Sequence, residues 1–414
     1  MKVLPMHETL TRPVLVPKYV TQFQCIGAAC EDTCCAGWNI TLDKPVVQFY
    51  RRIKTGPLAG RLKDCIKRER SQSCDAHYAL IRLDARTGEC PFLEERLCAV
   101  QLHYGKIALS DTCSIYPRST RLVAGQLEQG LALSCSEAAR KALLSPDAFE
   151  FVMHDLTVRK SDIDCSAAHS SFSAEQMSEI RIFCLQLMRT EGLELWQRLA
   201  VLGVFCERLE AWVDAQKEIG LNELIDGFVR TVESGEVLSA LAERQPNHDV
   251  QAQLFAIFLY RKEEISKSTM LSTVRQQVQQ SVLEGLGGLK NDADSQVLVG
   301  NYRQGLELLQ TCLTENTPFL LEHYLLNEIF SALFPFGGRS VYSHYLQLVS
   351  RFCVLRLMLA GRCRANPTLS KEELIDTVQV FCRSFQHNAL FAERVNGVLH
   401  NTGWSKMEKI FPLL

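Results

Sequence analysis

Four cysteines crowd into eleven residues near the start of the chain: Cys25, Cys30, Cys34 and Cys35, spaced Cys-x4-Cys-x3-Cys-Cys. Thiols packed this closely cross-link, cycle between redox states or hold a metal, and each option constrains the surrounding fold differently. Cys90, Cys98 and Cys113 form a second group, with Cys135 beyond. Ten of the seventeen cysteines lie in the first third of the 414 residues, a bunching that scattered core cysteines would not produce.

The compartment narrows the options. Met1 to Val20 contains Pro5, Pro13 and Pro17 and no continuous apolar stretch, so it does not read as a signal peptide. No window approaches the roughly 18–20 uninterrupted apolar residues of a membrane span. A cytoplasmic location is therefore expected, where thiols stay reduced and a disulfide framework is excluded. The cysteine bias then points to metal ligands. A formal charge of −2 gives no electrostatic reason to expect nucleic acid or a membrane as partner. The basic run Lys63, Lys67, Arg68 and Arg70 reads as a solvated helix face.

The chain is longer than one core usually serves, and its 47% hydrophobic and 22% charged residues are those of an ordinary globular protein. A mainly α fold is expected, with a cysteine-rich, irregular cluster domain over residues 1–165 and an all-helical domain over 166–414. Pro13–Pro17 and Tyr19–Phe23 read as extended segments. Asp43 reads as the N-cap of a helix from about Pro45 to Lys54, with proline early in the first turn. A short helix is expected over Leu97–Gly105, and another from Ser145-Pro146-Asp147 through Phe149, Met153 and His154. Ser173-Ala-Glu175-Gln176 looks like a capping box ahead of Ile180, Phe183 and Leu187. Further helices are expected at 221–243, 249–265, 267–285, 301–313, 317–334, 341–361, 370–386 and 389–399.

Zinc and iron–sulfur clusters both select thiolate sulfur. The twin Cys-x2–4-Cys knuckles of common zinc sites are missing, and the gaps are long and uneven, Cys90-x7-Cys98 and Cys98-x14-Cys113. A cube-shaped cluster tolerates such spacing, as does a nonstandard zinc site, so spacing leaves the metal open. The candidate ligands are Cys25, Cys30, Cys34, Cys35, Cys90, Cys98 and Cys113. Cys34 and Cys35 are adjacent and do not easily aim both sulfurs at one centre. Cys184, Cys206, Cys312, Cys353 and Cys382 sit in apolar helical patterns and read as small core residues, as do Cys65 and Cys74.

Cys25-x4-Cys30-x3-Cys34-Cys35-x-Gly37-Trp38-x-Ile40-Thr41 resembles the opening signature of the flagellin lysine-N-methylases. Gly88-Glu89-Cys90-Pro91-Phe92-Leu93, Arg96-Leu97-Cys98 and Ala108 through Arg118 are similar to that family's second block. Leu195-Trp196-x-Arg198-Leu199 and Glu322-His323-Tyr324-Leu325-x-Asn327-x-x-Phe330, followed by Leu333-Phe334-Pro335-Phe336, resemble its later stretches. The resemblance implies an enzyme that moves a methyl group from S-adenosylmethionine to lysine ε-amines of flagellin, with a 4Fe–4S cluster held by the cysteine blocks.

The residues themselves bear on that chemistry. Gly285-Leu286-Gly287-Gly288 follows a helical stretch and reads as a helix end, not as a cofactor loop after a strand. The radical-enzyme motif Cys-x3-Cys-x2-Cys is incomplete, because Gly37 occupies its third position. A cluster with three protein thiolates would leave one iron open to the amino and carboxylate groups of S-adenosylmethionine. Lysine, with a reference pKa near 10.4, must be desolvated or deprotonated before it attacks. Tyr116, Tyr324 and Glu322, and also Asp111, are candidates to assist. Trp38 is a candidate to lie on a sulfonium or ammonium, and Arg118 to hold a carboxylate. Two other readings stay open: a non-enzymatic zinc- or iron-chelating protein, and a redox sensor.

Overall fold

In a computed structural model, which describes residues 7–70, 74–165, 171–215, 220–266, 272–288, 295–386 and 389–414, the valine-rich segment Thr9–Pro17 forms a nine-residue strand. It pairs antiparallel with Phe151–Arg159 from Thr9 opposite Arg159 to Pro17 opposite Phe151, and touches Gln126–Leu131 in parallel at Leu15 and Glu128. The five-stranded sheet runs in the order Ile163–Asp164, Arg118–Val123, Gln126–Leu131, Thr9–Pro17, Phe151–Arg159. Arg118–Val123 and Gln126–Leu131 form a hairpin whose two turn residues, Ala124 and Gly125, both take positive φ, the twist a two-residue hairpin turn requires.

A second, three-stranded sheet pairs Ile40–Leu42 with Ala79–Ile81 and the latter with Ile66–Arg68. The helix Lys44–Arg52 packs beside it. Asp43 caps that helix by accepting a 3.0 Å hydrogen bond from the Val46 N–H. Ile40, Val46, Tyr50, Leu62, Phe92 and Val100 gather here into a small core of their own.

The remainder is helical. Val341–Ala365, 25 residues long, is buried along most of its length, His344, Ser350 and Arg362 included. Leu195–Asp214, His248–Ser266, Thr273–Gly285 and Ser295–Asn316 pack around it. The main core runs through these helices into the five-stranded sheet, so Val14, Val16, Leu131 and Ala138 share it with Phe205, Tyr345 and Phe352. Ser173 closes a capping box with Gln176 over the helix Ala174–Leu187. No helix among the described residues is long and apolar enough to cross a membrane.

The mainly α class holds, but the first part of the chain is not irregular: it carries the five-stranded sheet. Tyr19 lies in a short helix, Lys18–Thr21, not in an extended segment. The turn drives Tyr19 into the core, where its phenol donates a 2.6 Å hydrogen bond to Asn327 Oδ1. The stretch expected to be helical through Met153 and His154 is the strand Phe151–Arg159. Its aromatic and β-branched residues satisfy their backbone against Thr9–Pro17, and this long-range pairing overrides the local helical spacing. The region 221–243 splits into Leu221–Glu233 and Glu236–Leu241 at Ser234 and Gly235. The helix expected at 267–285 is described from Thr273 to Gly285, and its first residues, 267–271, lie outside the described residues.

Candidate metal centre

Backbone pairing brings the two cysteine groups together. Gly37 N–H donates to Gly88 O at 2.9 Å and Cys90 N–H to Cys35 O at 2.8 Å, with Ala36 and Glu89 as an antiparallel bridge between them. Gly37 holds φ +76, which a side chain would strain, and a Cβ there would meet the Arg275 guanidinium at 3.6 Å. Leu93–Glu94 and Leu97–Cys98 then form a tight hairpin, with Glu95 and Arg96 in the left-handed region, and it presents Cys98 at the start of the helix Ala99–Tyr104. Arg96 donates to the Cys30 carbonyl and ties the hairpin back to the first group. Cys113 rides on the helix Asp111–Ile115, which Ser110 caps.

The sulfurs that result lie within electrostatic reach of one another. Cys90 and Cys98 each feel the charge of Cys34, Cys35 feels Cys98 and Cys90, and Cys113 feels all three of Cys34, Cys90 and Cys98. Cys30 and Cys135 flank Cys34, and Cys25 and Cys135 both act on the Arg118 guanidinium. Cys135 was absent from the ligands expected from sequence, because it stands alone in the chain; the fold seats it at the head of the helix Ser136–Leu144. Cys65, expected to be a core residue, packs against the smaller core and also lies near Cys90. Cys74 is exposed, whereas Cys184, Cys206, Cys312, Cys353 and Cys382 are buried in the main core.

Burial pushes the Cys90 and Cys135 thiols up to about 11 and Cys113 up to about 12, and raises Cys30 and Cys98 as well. Cys34 differs. The hydrogen bond from Cys35 is the largest influence on it and, with the positive charge of Arg383, holds Cys34 down to about 7, while Cys35 itself is driven far up. Several buried thiols that resist ionisation singly become thiolates together only beside a cation, which a coordinated metal provides. The donor set is all sulfur and suits zinc or iron–sulfur chemistry. A tetrahedral zinc at about 2.3 Å from each sulfur needs sulfurs about 3.8 Å apart. Among the described residues no three cysteine sulfurs come within 4.8 Å of one another.

The helical part of the chain completes the centre. Asp32, in the loop between Cys30 and Cys34, is fully buried, with Arg383 at 3.1 Å and Arg275 at 3.5 Å from its Oδ2. Gln379 donates to the same oxygen at 3.1 Å and to Ser134 O at 2.8 Å, and Arg383 also donates to Ala36 O at 2.7 Å. Nothing in the sequence around Arg275, Gln379 or Arg383 marks them as belonging to a cysteine site.

Trp38 and Tyr116 stand together beside this loop with ring centroids 5.6 Å apart, Trp38 half-exposed and its indole N–H donating to Cys34 O at 2.7 Å. Burial holds the Tyr116 phenol protonated far above its ordinary range, and the phenol pairs with Ser134 at 3.1 Å. The Arg118 guanidinium lies 5.1 Å over the Phe23 ring. The structure does not gather the two later candidates here. Glu322 is ion-paired with Arg198 at 2.6 Å, and Tyr324 is fully buried against Phe381, its phenol also held protonated by burial. His323 and Asn327 share a buried face, pairing with Ala142 O at 2.9 Å and with Tyr19.

Residues 181–413 match the FliB lysine N-methylase C-terminal domain, a stretch that includes Arg275, Gln379 and Arg383. The chain is 30% identical over 244 residues to a protein of Salmonella typhimurium named Lysine-N-methylase, covering 58% of this chain and 59% of that one. A flagellar biosynthetic protein FliU of Salmonella muenchen is 40% identical over 136 residues, 33% of this chain and 79% of its own length. The chain thus matches 59% of the length of the lysine-N-methylase relatives. No solved structure matches it. With more than half of its length inside the family match, the chain belongs to the FliB lysine N-methylase C-terminal domain family.

Proposed function

We propose that this protein is a cytoplasmic methyltransferase that moves a methyl group from S-adenosylmethionine to lysine ε-amines of flagellin, with a 4Fe–4S cluster held by the cysteine centre. One observation carries the reading: Arg275 and Arg383, both inside the family match, fasten onto Asp32 and Ala36 in the cysteine loop, so family domain and cysteine centre act as one unit. The relatives' names supply the reaction class and the flagellar context.

Cys34, Cys98 and Cys113 would hold the cluster through three thiolates and leave one iron free of protein sulfur, with Cys90 beside them and Cys30 and Cys135 at the flank. When bound, such a cluster supplies an iron able to take the amino and carboxylate groups of S-adenosylmethionine. The chain's own residues do the rest. Trp38 offers a half-exposed ring face to a sulfonium or to the incoming ammonium. Arg118, partly desolvated, can receive a carboxylate. Tyr116, kept neutral, serves as a hydrogen-bonding group at this wall and not as the base. Desolvation against the Trp38–Tyr116 wall would lower the pKa of the substrate lysine, so that its ammonium gives a proton to solvent water and the neutral amine then attacks.

Anaerobic reconstitution with iron and sulfide, followed by mass spectrometry of flagellin incubated with S-adenosylmethionine, tests the reading. One methyl unit of added mass per modified lysine supports it; unchanged flagellin with iron-loaded protein overturns it. The adjacent pair Cys34–Cys35, with Cys34 held down to about 7, favours a redox sensor as the second reading. A colourless protein that forms a reversible Cys34–Cys35 bond and leaves flagellin unmodified would select it.

A further inference from the structure

His7, Asp43 and Asp111 converge from three separate elements beneath the cysteine centre, each offering one ligand atom within 4.8 Å of the others. His7 precedes the strand Thr9–Pro17, Asp43 caps the helix Lys44–Arg52, and Asp111 opens the helix that carries Cys113. The His7 side chain is only 8% exposed, with Nδ1 3.4 Å from Asp111 Oδ1 and Nε2 3.9 Å from Asp43 Oδ1. At 3.9 Å no hydrogen bond forms, and Nε2 is buried without a partner.

Each carboxylate already has neutral or cationic company. Asp43 Oδ1 accepts from Val46 N–H at 3.0 Å and Oδ2 from Asp111 N–H at 3.2 Å. Arg159 donates to Asp111 Oδ1 at 3.1 Å and spends its other contacts on Leu109 O and Lys106 O. A bridging imidazolium would leave its Nε2–H unpaired in a buried site, which costs about 1–3 kcal/mol. A cation between the three residues would use that nitrogen. Asp162 lies within reach of Asp111, its carboxyl held up at about 6 by burial and then by that charge, with Arg159 and Lys106 opposing.

We propose that His7, Asp43 and Asp111 form a binding site for one divalent transition-metal ion, separate from the cysteine centre and independent of its chemistry. One imidazole nitrogen and two carboxylate oxygens suit Mn2+, Fe2+ or Zn2+. Ligand bonds near 2.1 Å place donors about 3–3.4 Å apart, so the 3.9 Å between Nε2 and Asp43 must close by about 0.5–0.9 Å and any pair at the 4.8 Å limit by up to about 1.8 Å. The ion pins the start of the chain to the helix bearing Cys113 and so fixes one wall of the cysteine centre.

Titration of the whole protein with Mn2+, a poor thiolate metal, tests this by electron paramagnetic resonance. One bound Mn2+ per chain with nitrogen coupling from a single imidazole is expected. His7→Gln removes that coupling and weakens binding at least about ten-fold. Asp43→Asn, which keeps the helix cap, weakens it as well with an unchanged circular dichroism spectrum. Cys98→Ala leaves Mn2+ binding intact. Binding without nitrogen coupling, or binding indifferent to His7→Gln, overturns the site, and so does no binding at millimolar Mn2+.

Discussion

Arg383 lies 3.1 Å from the buried carboxylate of Asp32 while its other amine donates to Ala36 O at 2.7 Å, so one side chain from the helical region grips the cysteine loop at two points. Asp32 Oδ1 meanwhile has no partner, which makes the carboxylate dependent on the cations at its other oxygen. Removing one member of a buried pair leaves an uncompensated charge and costs about 3–5 kcal/mol. Arg383→Gln is expected near the low end, about 3 kcal/mol, because Arg275 remains at 3.5 Å. Urea denaturation reads the loss, and hydrogen exchange should rise at Thr33–Gly37. Asp32→Asn together with Arg383→Gln should restore part of the stability. An unchanged urea midpoint in the single variant would remove the pair from any role in holding the loop.

The cysteines should sort into two classes when the metal-free protein is reconstituted with iron and sulfide. Cys34→Ala, Cys98→Ala and Cys113→Ala are expected to lose bound iron and visible absorbance, since their sulfurs share one neighbourhood. Cys184→Ala and Cys353→Ala, buried among apolar helices, should keep both. Cys135→Ala is the informative member. Its position beside Cys30 and Cys34 predicts reduced iron, although nothing local in the sequence pairs it with them. Full iron in the Cys98 and Cys113 variants would place the metal elsewhere.

What could be read in advance follows the range of the interaction. The Asp43 cap and the Ser173 capping box depend on neighbours three residues away and stood open in the sequence. The two cysteine blocks also stand out in the sequence by residue type and short spacing, and the Ala36–Glu89 bridge brings them together. Phe151–Arg159 was not, since it becomes a strand only against Thr9–Pro17 at the far end of that region. Arg275 and Arg383 were invisible for the same reason: each is an ordinary helix arginine until tertiary packing sets it on Asp32. Glu322 and Tyr324 share the helix Leu320–Ser331, as their spacing implies, but spacing cannot say that Arg198 and Phe381 face them.

Acid should weaken the fold through His344. Burial, and then the charges of Arg351 and Arg121, lower its pKa from 6.5 to about 4, and it packs as a neutral ring tilted against Phe334 with centroids 5.1 Å apart. Between those values the unfolded chain takes up a proton that the folded chain refuses, so stability rises with pH across this window. The contribution is complete above pH 6.5 and is lost as pH falls toward 4, about 3 kcal/mol in all. His323, lowered mainly by burial, acts in the same direction, while Glu328, raised by burial, opposes it. Urea midpoints measured from pH 7 to 4.5 should fall less steeply in His344→Gln. Parallel curves for the two proteins would assign the acid sensitivity to other groups.

Gly285 ends the helix Thr273–Gly285 against the backbone of Val341–Ala365, and a Cβ there would run into the Gly361 carbonyl and come within 3.0 Å of Ala365 N. Backbone cannot yield as a side-chain tip can, so Gly285→Ala must part the two helices, at about 1–3 kcal/mol. Arg275 sits on the same helix, ten residues from Gly285. Parting the helices should therefore draw Arg275 from Asp32 and loosen the cysteine loop, so iron retention should fall with the melting temperature. Gly300→Ala is the control. It lies exposed inside Ser295–Asn316 with nothing within 4 Å of its Cβ. Alanine there should raise stability by up to about 1 kcal/mol through helix propensity, with iron unchanged. Loss of stability without loss of iron in Gly285→Ala would separate the helix crossing from the metal centre, and the mechanical link through Arg275 would fall.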